Sequence, residues 1–127
     1  MANKLLVRLY NVGLGDCIYV RIPGSSAAKD FHMLVDCGTK GDEQLVKDAV
    51  KHMEENLLPK GSGDKKRLDL LVVTHPHEDH IVGFDPNTFA KIEIKRIWLS
   101  PIMDTGHPQN KNALNLQKLA TEAIKSV

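Results

Sequence analysis

Residues 68–74 read Leu-Asp-Leu-Leu-Val-Val-Thr, and the six residues that follow carry three histidines and an aspartate. No other stretch restricts the fold as much. A nearly continuous apolar run of this length fits a strand buried on both faces, the pattern of a parallel sheet covered by helices. Parallel neighbours require a crossover connection, so the expectation is an α/β architecture with helices packed on the sheet. A cluster of polar ligands directly after such a strand lies where open α/β sheets form their sites, beyond the carboxyl ends of the strands.

The flanking segments agree. Leu5 to Tyr10 reads as a short apolar strand that ends in the turn Asn11-Val12-Gly13-Leu14-Gly15-Asp16. A second strand, Cys17 to Ile22, precedes the break at Pro23-Gly24-Ser25-Ser26, and a third, Phe31 to Val35, runs into Asp36-Cys37-Gly38. The turn spacing predicts an antiparallel meander. From Asp42 to Leu57 the apolar residues Leu45, Val46, Ala49, Val50, Met53 and Leu57 fall at helical spacing, with Asp42 and Glu43 suited to the helix start. Pro59 to Arg67 is a polar loop, Leu68 to Thr74 the fourth strand, and Ile94 to Leu99 the fifth. Pro101 to Pro108 is irregular. A closing helix, Ala113 to Ile124, carries Leu116, Leu119, Ala120 and Ile124 on one stripe.

Charge and composition remove several function classes. The 127 residues suit one domain, and a net charge of +1 gives no field for tight non-specific binding to nucleic acid. That balance leaves open a nuclease that holds its substrate through metal. No stretch is apolar enough for a membrane span, and Arg8 interrupts the first apolar run before a signal-peptide core forms, so the expected location is cytoplasmic, with no membrane partner. Cys17 and Cys37 are then expected as small buried thiols rather than a disulfide.

The loop His75-Pro76-His77-Glu78-Asp79-His80 carries the chemistry. Imidazole and carboxylate together suit Zn²⁺, Mn²⁺ or Fe. His75 and His77, two apart, point the same way in an extended loop, while a turn at Asp79 and His80 aims those two at a second position. The competing reading, solvated loop histidines, suits a single histidine better than four potential ligands at a strand end. Asp36 ends the third strand and Asp104 to His107 follow the fifth, so parallel third, fourth and fifth strands bring these groups to one edge. His107 is a candidate further ligand, with a solvated loop histidine as the alternative. His32 and His52 read as surface or satisfied histidines. Lys60, Lys65, Lys66 and Arg67 read as a solvated basic loop, with a phosphate patch as the alternative. Trp98 is expected in the core. Asp16 is either a turn-former or a neighbour of the metal loop.

The histidine loop after an apolar strand, with Asp36-Cys37-Gly38 upstream, resembles the metallo-β-lactamase fold superfamily. The opening Asn11 to Asp16 resembles the branch that contains the hydrolase domain of bacterial DNA-uptake channels. The resemblance implies half of an αββα sandwich, a mixed β-sheet with flanking helices, with residues 1–127 as the N-terminal half of one domain. It implies His75 and His77 on a first metal and Asp79 and His80 on a second, with two zinc ions per complete site, or Mn²⁺ or Fe in their place. A hydroxide bridging the metals attacks a carbonyl or phosphorus centre, Asp79 helps orient it, and Asp36 orients a ligand. The later histidine, bridging aspartate and final histidine of the family have no counterpart here. The half-sandwich leaves apolar sheet surface that requires the missing C-terminal half or a homodimer. Two functions remain: a hydrolase acting on nucleic acid or another phosphodiester, or a catalytically incomplete remnant that binds metal weakly and acts through protein contacts.

Overall fold

The computed structural model describes residues 3–75, 77–99, 115, 118–120 and 122. Its centre is a five-stranded sheet in the order β1-β2-β3-β5-β7, built from β1 (Leu6–Leu9), β2 (Cys17–Ile22), β3 (Phe31–Cys37), β5 (Leu70–Val73) and β7 (Ile97–Leu99). The first three strands form the expected antiparallel meander, while β3, β5 and β7 run parallel. The crossover between β3 and β5 is α1 (Glu43–Asn56), opened by Asp42, whose carboxylate accepts the Gln44 N–H at 2.9 Å. Such a cap contributes about 1 kcal/mol.

Two of the expected strands divide. The fourth breaks into β4 (Lys66–Leu68) and β5, and the fifth into β6 (Ile92–Ile94) and β7, with β4 and β6 pairing in a small parallel sheet of their own. Asp69 explains the first break. Its N–H donates to the His32 carbonyl at 2.9 Å and its carboxylate accepts the His32 N–H at 2.8 Å, so this residue bonds to β3 from the side and releases the preceding strand. Part of the supposed loop Pro59 to Arg67 is therefore strand. The third strand is also longer than expected, and it includes Asp36 and Cys37.

Side-chain alternation divides the main sheet into two unlike faces. Tyr19, Leu34 and Leu71 stand in register on the inner face and are buried with Val46, Ala49, Val50 and Met53 of α1. Leu45, placed on the helix's apolar face by its spacing, is exposed instead. The outer face carries two rows in register, Val7–Val20–Met33–Leu70 and Leu9–Ile18–Val35–Val72–Trp98. No charged side chain falls in either row, yet Leu9 is 73% exposed and Trp98 61%. The core placement expected for Trp98 is thus wrong: its strand lies at the sheet edge, and no layer of the described structure covers its face.

Several buried polar groups are paired. Tyr19 and His32 share a hydrogen bond of 2.6 Å; burial lowers the His32 pKa and pushes that of Tyr19 up to about 12. His52 bonds the Tyr10 hydroxyl at 2.7 Å. Cys17 and Cys37 are buried free thiols, as expected. Asn115, Lys118–Ala120 and Glu122 are helical and Leu119 joins the core; the other positions of the expected closing helix, Leu116 and Ile124 among them, lie outside the described residues.

Glu93 of β6 is buried against the Lys95 ammonium and the Ser62 N–H, which hold its carboxyl down at about 2. A carboxyl depressed in the folded state stabilises above its unfolded value, near 4.5, and loses that contribution as pH falls toward 2. Glu93→Gln is expected to cost ~1–3 kcal/mol at neutral pH. It should also flatten the acid limb between those two values in urea midpoints measured against pH. An unchanged acid limb would refute this assignment.

Candidate metal centre

The parallel arrangement of β3, β5 and β7 sends their carboxyl ends to one edge, and three segments meet there. Asp36 and Cys37 close β3, Thr74 and His75 follow β5, and the turn before β2 supplies Asp16. The loop then rises into α2 (Glu78–Ile81), whose first bonds run from the N–H groups of His80 and Ile81 to the His77 carbonyl. Ile81 anchors this short helix in the core. Gly83 follows it so closely that an added Cβ would lie 2.2 Å from Val46 and 2.7 Å from the Cys37 carbonyl, which itself accepts the Gly83 N–H at 2.8 Å. Only glycine fits, and the fit ties the histidine loop to the end of β3.

Asp36 is the organising side chain. It is 3% exposed and adopts a left-handed backbone, φ 57°, a region that aspartate and asparagine tolerate better than most residues. One carboxylate oxygen accepts the Thr74 N–H at 2.8 Å; the other accepts the Thr74 hydroxyl at 2.5 Å and faces His80 Nδ1 at 2.9 Å. A carboxylate only accepts, so Nδ1 of His80 donates to Asp36, which leaves Nε2 as the ring atom available to a metal. The Thr74 hydroxyl, having spent its proton on Asp36, accepts from His75 Nδ1 at 2.9 Å. His75 is thereby also left with Nε2 as its ligand atom. A single buried carboxylate sets the tautomer of both histidines, one directly and one through Thr74.

The expected ligands His75, His77, Asp79 and His80 lie side by side at this edge. His80 Nε2 lies 3.4 Å from Asp79 Oδ2. Two ligands about 2.0–2.1 Å from a tetrahedral zinc stand roughly 3.3 Å apart, so this pair fits one metal without rearrangement. The rings of His75 and His77 lie nearly parallel, 6° between planes and 5.9 Å between centroids, which places them alongside each other as their spacing suggested. His75 lies nearer to His80, with centroids 4.8 Å apart, than to His77, so the ring distances alone do not divide the four into pairs.

Asp16, left open by the sequence, reaches the centre. Its N–H donates to the Asp79 carbonyl and its carbonyl accepts the Gly38 N–H, both at 3.0 Å. Gly15 beside it has no room for a Cβ, which would meet the Gly38 carbonyl at 1.9 Å. This clamp sets the half-exposed Asp16 carboxylate 3.2 Å from His80 Nδ1. Asp16, Asp36 and His80 have ligand atoms within 4.8 Å of one another, the group of this kind among the described residues. A cation there would have to take His80 through Nδ1 and displace bonds that Asp36 already makes. The pair on the Nε2 side needs no displacement, so Asp36 fits an orienting role better than a ligand's.

Thr74 is the functional residue that sequence reasoning passed over. Its only signal was a hydroxyl placed directly between the buried strand and the first histidine. Asp104 and His107 lie outside the described residues. His32 sits buried among strands and His52 on α1, and neither joins the group. Among the described residues no helix is long and apolar enough to cross a membrane.

Residues 10–86 match the family model of the metallo-beta-lactamase superfamily, a span that includes the Asp16 turn, Asp36 and the whole histidine loop. No curated protein and no solved structure matches the chain.

Asp36→Asn keeps the left-handed residue and the size of the side chain but removes one acceptor. Metal affinity is expected to fall ~10–100-fold, as for other lost outer-shell partners, with the circular dichroism unchanged. Isothermal titration with zinc checks this, and an unaltered affinity would show that His80 needs no carboxylate behind it.

Proposed function

The chain belongs to the metallo-beta-lactamase superfamily, and from that premise we propose that it supplies the metal-binding half of a hydrolase acting on a phosphodiester. The observation that carries this reading is the arrangement at His80: Nδ1 bound to Asp36 at 2.9 Å and Nε2 facing Asp79 at 3.4 Å. A histidine held in that way has its ligand atom oriented before any metal arrives.

His75 and His77 are assigned to one metal and Asp79 and His80 to the other, with zinc as the expected ion and Mn²⁺ or Fe as alternatives. Bound there, a metal pair lowers the pKa of water toward ~7 and polarises the bond to be cleaved. The chain's own residues do the rest. Asp36 fixes His80, Thr74 fixes His75, and Asp79 at the rim helps orient the water. The choice of a phosphodiester, nucleic acid included, rests on the likeness of Asn11 to Asp16 to the DNA-uptake branch, and the cytoplasm is the location we assign.

Residues 1–127 are taken as the N-terminal half of one domain. The uncharged outer face of the sheet supports a second layer pair, supplied by a C-terminal half or by a second copy. The incomplete ligand set favours a second reading. Among the described residues no group of three ligand atoms includes His75 and His77, whereas a catalytic zinc ordinarily has three protein ligands. On that reading the chain alone is a non-catalytic metal binder that acts through protein contacts.

Two measurements separate these readings. In the chain as it stands, His77→Ala and Asp79→Ala are expected to lower metal content and to cut hydrolysis of bis(p-nitrophenyl) phosphate. The loss should exceed the ~10–100-fold typical of outer-shell changes. Hydrolysis that survives either substitution would sink the hydrolase reading. Metal content with solution mass is the second measurement. About two equivalents per site in a dimer supports a completed centre, while substoichiometric metal on a monomer supports the non-catalytic binder.

A further inference from the structure

Cys17 and Cys37 occupy directly paired positions of β2 and β3, at the irregularity where the register shifts. Their sulfurs lie 3.9 Å apart, with the Cys17 thiol directed at that of Cys37, and both are buried. Opposed residues of antiparallel strands have Cα atoms about 4.5–5.5 Å apart, inside the range that a disulfide spans. Each cysteine also follows a carboxylate that faces His80: Cys17 follows Asp16 and Cys37 follows Asp36. Gly83 packs against Cys37 on another side, where an added Cβ would lie 2.7 Å from the sulfur.

We propose that Cys17 and Cys37 are a redox pair that closes to an intramolecular disulfide under peroxide and so loosens the Asp36–His80 support of the metal centre. The role of that support rests on the function proposed above; the closure of the pair does not. Peroxide first transfers one oxygen to a cysteine sulfur, giving a sulfenic acid and water. The second thiol's sulfur then displaces that hydroxyl as a second water, so two thiols and one peroxide yield one disulfide and two waters. A thiol reductant reverses the step. Closure draws the sulfurs from 3.9 Å to ~2.05 Å, by rotation of the two side chains together with a shift of the strand ends. Asp16 and Asp36 each stand one residue from a cysteine, so the share that the backbone takes up reaches the 2.5–2.9 Å hydrogen bonds around Asp36. Burial makes the reaction slow, because each thiol is reached only through local opening.

The test uses the full chain, reduced and then exposed to hydrogen peroxide. Thiols counted in denaturant should fall from two to none, on a monomer lighter by two hydrogens, with full recovery after dithiothreitol. Two thiols persisting while methionines oxidise, oxygen added irreversibly to sulfur, or a covalent dimer would each overturn the proposal. Cys17→Ala should keep its single thiol and lose no hydrogen. Coupling is read in metal-free protein from the ring-nitrogen resonances of His80. These should shift on oxidation of the natural chain and stay still in treated Cys17→Ala. A disulfide that leaves His80 unmoved would refute the coupling. Zinc affinity should fall ~10-fold or more on oxidation if His80 is a ligand. A reduced chain that binds no zinc would defeat the ligand assignment of the previous section, while the thiol count and the His80 resonances still decide this one.

Discussion

One carboxylate holds the centre together. Asp36 sits at the end of a strand in a left-handed conformation, and its two oxygens engage a backbone N–H, a hydroxyl and an imidazole. Burying a charge without partners is costly, and here the compensation comes entirely from the segments that carry the ligands. The strand that ends in Asp36 and the loop that begins at Thr74 therefore stabilise each other. The same bonds that satisfy the buried charge set the proton positions of His75 and His80. Folding and preparation of the site for metal are one set of interactions.

The sheet explains why this is possible. Parallel β3, β5 and β7 deliver their ends to one edge, and α1 covers only the inner face. Asp69 divides the long apolar run by bonding to both backbone groups of His32, which fixes β5 against β3 and so sets how far Thr74 lies from Asp36. The other face, with rows from Val7 to Leu70 and from Leu9 to Trp98, has the character of an interior without a second layer in the described structure.

Much of this was legible in the residues. The apolar run, the ligand spacing and the turn glycines were enough to read a meander, a helical crossover and a parallel strand leading into the histidine loop. The breaks at Asp69 and between β6 and β7 were not, because a lone aspartate in an apolar run looks like a tolerated interruption until its partner on another strand is known. Trp98 misled for a related reason. An aromatic residue in a strand reads as core, and only the layer count of the fold decides whether its face is covered. In the site, residue types announced the candidate ligands, whereas the placement of Asp16 and Thr74 depends on distances between segments far apart in the chain. The substrate left no comparable mark, since the same metal pair serves many reactions and selectivity resides in surrounding loops.

The span of the Asp36 bonds has a kinetic meaning. Asp36 joins Thr74 across 38 positions and His80 across 44, and both connections wait on the α1 crossover. The meander and the helix close over short loops, but these bonds pay a larger entropy of loop closure before they return anything. The orientation of His80 therefore depends on long-range closure, whereas the meander that carries Asp36 is built from pairing between neighbours in the chain.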